Sequence, residues 1–332
     1  MKKEIYVSWC KGLADSEEAL KILRESPYVT GVETLNYDRD EKKFQKAGLK
    51  VSIHNPTRFL NIDLSDSEFI DVITSKENSH MLNGIRTENA YTAGFHICHK
   101  IYFKEGKLVL KDEIDEKSIT IHDEEVVFNN ILNNLLQIEK LINKGFPEDK
   151  KKKVLFETNT FYDPKILEKR DYKSEKEKLT VELVKYFSSL EFYKKILNHP
   201  KIHNENFGLL FDVAHVIATA STNVLSKIYK GTQDDFINEL INISKGRVYQ
   251  LHLNAPKGNL KTGIIDGHKS FTLDEPKTEL ILGYAKEILN QNPNLTTVTL
   301  EMYTNQEPVK HAQILAEQAE LVAKKLDIEV EK

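Results

Sequence analysis

The sequence predicts a single (β/α)8 barrel, one parallel sheet closed on itself and ringed by helices. Three observations point that way. Short β-branched or aromatic runs alternate with longer amphipathic stretches along the chain, the pattern of βα units. The runs number eight, the strand count of a closed barrel. The last lies near residue 300 and one helix follows it, in a chain of 332 residues, a length that suits one barrel with insertions and no second domain.

In order, the expected strands are Glu4 to Trp9, Val29 to Leu35, Leu49 to His54, Ala93 to Cys98, Val154 to Glu157, Gly208 to Asp212, Val248 to Leu253 and Thr297 to Glu301. The expected helices are Ser16 to Arg24, Arg39 to Ala47, Ser67 to Ser75, Glu124 to Lys144, Glu175 to Leu197, Gln233 to Ser244, Thr278 to Asn290 and Glu307 to Leu326. The fourth of these is the clearest. Val127, Ile131, Leu135, Ile138 and Ile142 recur at helical spacing and form one apolar stripe to lay on a sheet. Residues 104–122 alternate between turn signals and read as an inserted hairpin; residues 161–206 exceed one βα connection and read as a second insertion.

Composition narrows the class. Hydrophobic residues make up 40% and charged residues 30%, enough for a core and a wet surface, which excludes a disordered chain. With 47 Lys+Arg against 51 Asp+Glu the net charge is -4, which does not advertise nucleic acid. Only Cys10 and Cys98 occur, so neither a disulfide framework nor a CxxC zinc site is present, and a reducing, cytoplasmic setting is expected. The first 20 residues read as a strand entering a helix rather than a signal peptide. No run approaches the ~20 apolar residues of a membrane span, so no membrane partner is expected.

The chemistry is written at the strand ends. LKVSIH ends on His54, TAGFHICH offers His96 and His99, and VLFE ends on Glu157. GLLFDVAH carries Asp212 and His215, VYQLHLN carries His252, GIIDGH carries Asp266 and His268, and TVTLE ends on Glu301. A barrel brings the C-terminal ends of its strands to one face, where these side chains would meet. Mixed imidazole and carboxylate suit zinc, manganese or iron(II), and one zinc uses only about four such ligands, so two or three ions are expected. Any one of these residues alone is more commonly a satisfied polar side chain than a ligand; the argument rests on their number. His80, His122, His199, His203 and His311 fall in loops or helices and are expected at the surface.

GLLFDVAHVIATA, VYQLHLNAPKGN, GIIDGHKSF and TLEMY, in that order, resemble the motif series of the endonuclease IV group within the xylose isomerase-like barrels. The resemblance spans roughly residues 49–301 and implies three zinc ions held by His54, His96, Glu157, Asp212, His215, His252, Asp266, His268 and Glu301, with His99 competing with His96. It implies hydrolysis of a phosphate ester, with abasic DNA a candidate substrate. Glu157 and Glu301 would bridge ions or orient water, and Glu301 would serve as general base. Asn159 is expected to line the pocket and Asn254 to orient an imidazole. Lys257 and Lys269 are candidates for substrate phosphates, although plain solvent exposure is the commoner fate of such lysines. Two other groups on this barrel remain open: multinuclear iron oxidoreductases that act on peptides, and sugar isomerases or epimerases. The latter use a Glu/Asp/His/Glu set for one or two ions, and Asp266 and His268 would be surplus to it.

Overall fold

The computed structural model describes residues 2–10, 12–34, 40–54, 62–78, 86, 92–96, 101–104, 107–110, 124–162, 172, 175–259, 263–273, 275–304 and 306–332. Eight strands form one closed parallel barrel: β1 (Lys2–Ser8), β2 (Gly31–Thr34), β3 (Lys50–His54), β4 (Thr92–Phe95), β7 (Lys153–Glu157), β8 (Phe207–Asp212), β9 (Val248–Leu253) and β12 (Thr297–Leu300). Each pairs with the next, and β12 returns to β1 with Glu4 opposite Thr297 and Val7 opposite Leu300. All eight coincide with the expected runs. A short β13 (Glu329–Val330) adds to β1 beside Lys2 and Lys3.

Outside the barrel lie α1 (Glu17–Glu25), α2 (Glu41–Lys46), α3 (Phe69–Thr74), α4 (Glu124–Asn143), α5 (Glu175–Phe187), α6 (Leu190–Leu197), α7 (Val213–Leu225), α8 (Gln233–Ile243), α9 (Pro276–Gln291) and α10 (Pro308–Leu326). The predicted stripe of α4 is buried throughout, from Val127 to Ile142. It joins one continuous apolar core with strand residues such as Val51, Val154, Leu209 and Val298. This is the packing that burial of one helix stripe against a sheet demands. Among the described residues, no helix is long and apolar enough to cross a membrane.

Several expectations need correction. The helix read as continuous from Glu175 to Leu197 breaks into α5 and α6, because Ser189 turns extended and its hydroxyl accepts from the backbone N–H of Phe192 to cap α6. The hairpin expected within 104–122 begins three residues before that range, with β5 (Ile101–Lys104) paired to β6 (Lys107–Leu110), while 111–123 lies outside the described residues. The segment after β9, where the sequence predicts no strand, is an antiparallel hairpin of β10 (Ala255–Asn259) and β11 (Gly263–Lys269). His311 is fully buried rather than superficial, with its Nδ1 2.7 Å from the Thr304 hydroxyl. His199 is half-buried, His203 is exposed, and His80 and His122 lie outside the described residues.

Candidate metal centre

All nine residues named from the sequence lie at the C-terminal ends of the barrel strands, in the first turn of α7 (His215) or on the β10–β11 hairpin, and they fall into three groups. The first joins β3, β4 and β7. His96 Nε2 lies 3.1 Å from His54 Nε2 and 3.0 Å from Glu157 Oε2, and His54 Nε2 lies 3.6 Å from the same oxygen. Gly94 makes this possible. A Cβ there would sit 2.9 Å from His54 Nδ1 and 2.8 Å from Leu210 Cδ1, closer than side chains pack. His99, the competitor of His96, lies outside the described residues.

The second group joins β7, β8, β9 and β12. His252 Nδ1 faces three carboxylates: Glu301 Oε2 at 3.1 Å, Glu157 Oε1 at 3.5 Å and Asp212 Oδ2 at 3.9 Å. One ligand atom from each of Glu157, Asp212, His252 and Glu301 lies within 4.8 Å of the others, as for His54, His96 and Glu157. Glu157 therefore belongs to both groups.

The third group is looser. Asp266 Oδ2 lies 2.6 Å from His268 Nε2 and 3.5 Å from His215 Nε2. Both imidazoles are pinned from behind: His215 Nδ1 lies 2.8 Å from the Thr158 carbonyl oxygen and His268 Nδ1 3.1 Å from that of Glu301. A donor N–H on Nδ1 leaves Nε2 as the free nitrogen, the arrangement of metal-bound histidines. His268 holds a left-handed φ of 43°, a strained conformation for a residue with a side chain. The β10–β11 hairpin carries Asp266 and His268 to the mouth, which strand ends alone could not do.

The donor set fits divalent cations. Buried oxygens almost always find hydrogen-bond donors, yet both oxygens of Glu157, Oδ2 of Asp212 and Oδ1 of Asp266 are buried and accept no hydrogen bond. Asp212 illustrates the division of labour. Its Oδ1 caps α7 by accepting from the His215 backbone N–H at 2.8 Å, and Oδ2 is left facing the pocket.

The electrostatics agree. Burial opposes ionisation of Glu157, but His96, His54 and His215 outweigh it and hold its carboxyl well below the usual range. Burial also resists a charge on His252 and His215. Glu33 foremost for His252, and Asp212 and Glu157 for His215, still lift both well above the ordinary imidazole value. His268 rises to about 9 against its burial, drawn up by Glu301, Asp266 and Asp212. Asp212 is pushed up to about 7 by burial and by Asp266, Glu301 and Glu157, against the pull of His215. The pocket thus stabilises positive charge strongly, and a metal ion can take the place of those protons.

Other predicted residues stand apart. The Asn159 side-chain amide donates to the Phe187 carbonyl at 3.2 Å, tying β7 to the end of α5. Asn254 is fully buried and makes no side-chain hydrogen bond. Lys257 and Lys269 are exposed on the hairpin. The sequence reading missed Glu33, buried one residue before the end of β2. Its Oε1 lies 2.9 Å from His252 Nε2, and with Ser8, Trp9, Thr34, His54, Glu301 and Tyr303 it lines a pocket beside the centre. The signal was available: GVET carries a buried acid one residue before its end, much as VLFE carries one at its end.

No family model matches the chain, and no curated protein does. Solved structures do match. A xylose isomerase domain protein from Alicyclobacillus acidocaldarius superposes with a TM-score of 0.53 at 14% identity, covering 98% of this chain and 100% of its own. The 3-keto-D-glucoside 4-epimerase of E. coli gives 0.53 at 10% identity, over 97% of this chain and 100% of its own. A D-psicose 3-epimerase gives 0.52 at 9% identity, over 97% and 99%. A particular likeness to endonuclease IV does not emerge from these matches; in fold, the chain is similar to the xylose isomerase-like (β/α)8 barrels.

Proposed function

We propose that this chain is a metal-dependent enzyme that works with two or more divalent ions. The observation that carries this reading is Glu157: one buried carboxylate, shared by two donor groups, with no hydrogen bond to either oxygen. His54, His96 and Glu157 would hold one ion, and Glu157, Asp212, His252 and Glu301 another. A divalent ion bound there supplies Lewis-acid polarisation of a substrate oxygen. The chain's own residues do the rest: Thr158 and the Glu301 backbone fix the imidazole orientations, and burial keeps bulk water from the carboxylates.

Two reactions suit such a centre, and each has its own support. Isomerisation or epimerisation of a sugar is favoured by the comparisons, two of which are named as epimerases. It needs a Glu/Asp/His/Glu set, which Glu157, Asp212, His252 and Glu301 supply. In this reading, one of Glu157 and Glu301 takes a proton from a carbon beside the carbonyl and the other returns it. Phosphodiester hydrolysis is favoured by the surplus donors. His54, His96, His215, Asp266 and His268 have no task in single-ion epimerisation, whereas a multi-ion centre can clamp both the attacking and the leaving oxygen of a phosphate ester.

The deciding experiment joins metal analysis to two assays. Protein purified without added metal is expected to carry more than one equivalent of transition metal per chain. Ketohexoses in D2O test for deuterium taken up at carbon, and an oligonucleotide with an abasic site tests for cleavage. A folded chain with less than one equivalent, active in either assay, would overturn the metal reading. Uptake without cleavage selects the epimerase, and cleavage without uptake selects the hydrolase.

A further inference from the structure

Resting on the metal reading above, we propose that Glu33 is a positioning residue: it holds a proton on Nε2 of His252 and so turns the Nδ1 lone pair toward Glu157, Asp212 and Glu301. The imidazole sits between two sets of acids. Nε2 is 2.9 Å from Glu33 Oε1, whereas Nδ1 is 3.1, 3.5 and 3.9 Å from Glu301, Glu157 and Asp212. A neutral imidazole has one N–H and one lone pair, so the nitrogen that donates to Glu33 decides which one is left for a cation.

Glu33 differs from Glu157 in what its oxygens already do. Its Oε2 accepts from Ser52 Oγ at 3.0 Å and from the Gln250 side-chain amide, with Thr299 Oγ1 at 3.5 Å. These partners come from β3, β9 and β12, and all are buried. Ser52 is the register partner of Glu33 across β2 and β3, and Gln250 precedes His252 by two residues on the same face of β9. The carboxylate is therefore anchored on Oε2 and spends Oε1 on His252. Glu157, by contrast, accepts no hydrogen bond on either oxygen, and both face the imidazoles of the centre. An anchored acid behind a metal-facing imidazole fixes its tautomer and raises its basicity, and losing such a partner commonly weakens metal binding about 10–100-fold.

The rival arrangement puts an ion between Glu33, His54 and His252, whose ligand atoms also lie within 4.8 Å of one another. It would use Nε2 instead and leave the proton on Nδ1.

The test reads the tautomer and the affinity separately. In the zinc-loaded, 15N-labelled full chain, long-range 1H–15N spectra are expected to show His252 protonated at Nε2. Glu33→Gln, which keeps the shape and removes the charge, is expected to weaken zinc binding about 10–100-fold in competition with a chromophoric chelator. Protonation at Nδ1 overturns the proposal in the unmodified chain, whatever becomes of the variant. Zinc bound by Glu33→Gln as tightly as by the unmodified chain overturns it too, and leaves the metal reading standing. Failure of the unmodified chain to bind zinc, manganese or iron(II) would remove both.

Discussion

Because Glu157 serves two donor groups at once, its replacement should behave unlike that of any neighbour. The perturbation is Glu157→Gln, compared with His96→Gln, which touches only the first group, and Asp212→Asn, which touches only the second. An ion present at a hundred times its Kd stabilises the native chain by about 2.7 kcal/mol. Unfolding entropy near 60 °C is about 2.1 cal/mol/K per residue, so for 332 residues one such ion raises Tm by about 4 °C and two by about 8 °C. The assay is a calorimetric melt of chelator-treated protein, repeated with zinc, manganese or iron(II). His96→Gln and Asp212→Asn should each forfeit about half of the metal-dependent shift, and Glu157→Gln should forfeit all of it. Asp212→Asn is mild on the fold because Asn caps a helix as well as Asp does. If Glu157→Gln kept more than half of the shift, the two groups would not share that carboxylate and the reading would fall.

Other outcomes follow from the same geometry. In the chelated chain the raised pKa of His268 stabilises the fold fully below its unfolded value of about 6.5, and that share is lost as pH rises through about 9. Melts at pH 6.5 and 9 should therefore differ, and less so in His268→Gln; an equal drop in both proteins would refute the assignment. Gly94→Ala forces a Cβ against His54 and Leu210 and should cost about 1–3 kcal/mol while releasing the ion of the first group, as read by melts and metal content; a full complement of metal would count against that group. Lys257→Ala and Lys269→Ala, both exposed, should leave stability within about 0.5 kcal/mol. If the substrate carries phosphate, its KM should rise in these variants, most at low salt, and an unchanged KM would exclude both lysines from binding.

Much of this centre is written locally, and the parts that are not share one cause. Eight strands were legible because a run buried on both faces must be apolar along its length, and residues such as Leu209, Leu251 and Val298 are fully buried. The acids and imidazoles ending those runs were legible for the converse reason: a polar group after an apolar strand has to be given a partner. Glu33 escaped notice because it sits one residue before the end of its strand, no motif surrounds it and its role depends on Gln250, 217 residues away. The sequence likewise presents His311 as a surface residue, whereas tertiary packing buries it beside Thr304.

By itself, then, the sequence determined the barrel, the order of its strands and the inventory of donors, because periodicity and residue type are properties of short segments. Only the tertiary structure decided how those donors are grouped, that Glu157 is shared, which nitrogen of His252 faces Glu33 and which faces Glu157, Asp212 and Glu301, and that a hairpin brings Asp266 and His268 to the rim. Distances between side chains far apart along the chain are set by how the sheet closes and how its helices pack, and no local pattern encodes them.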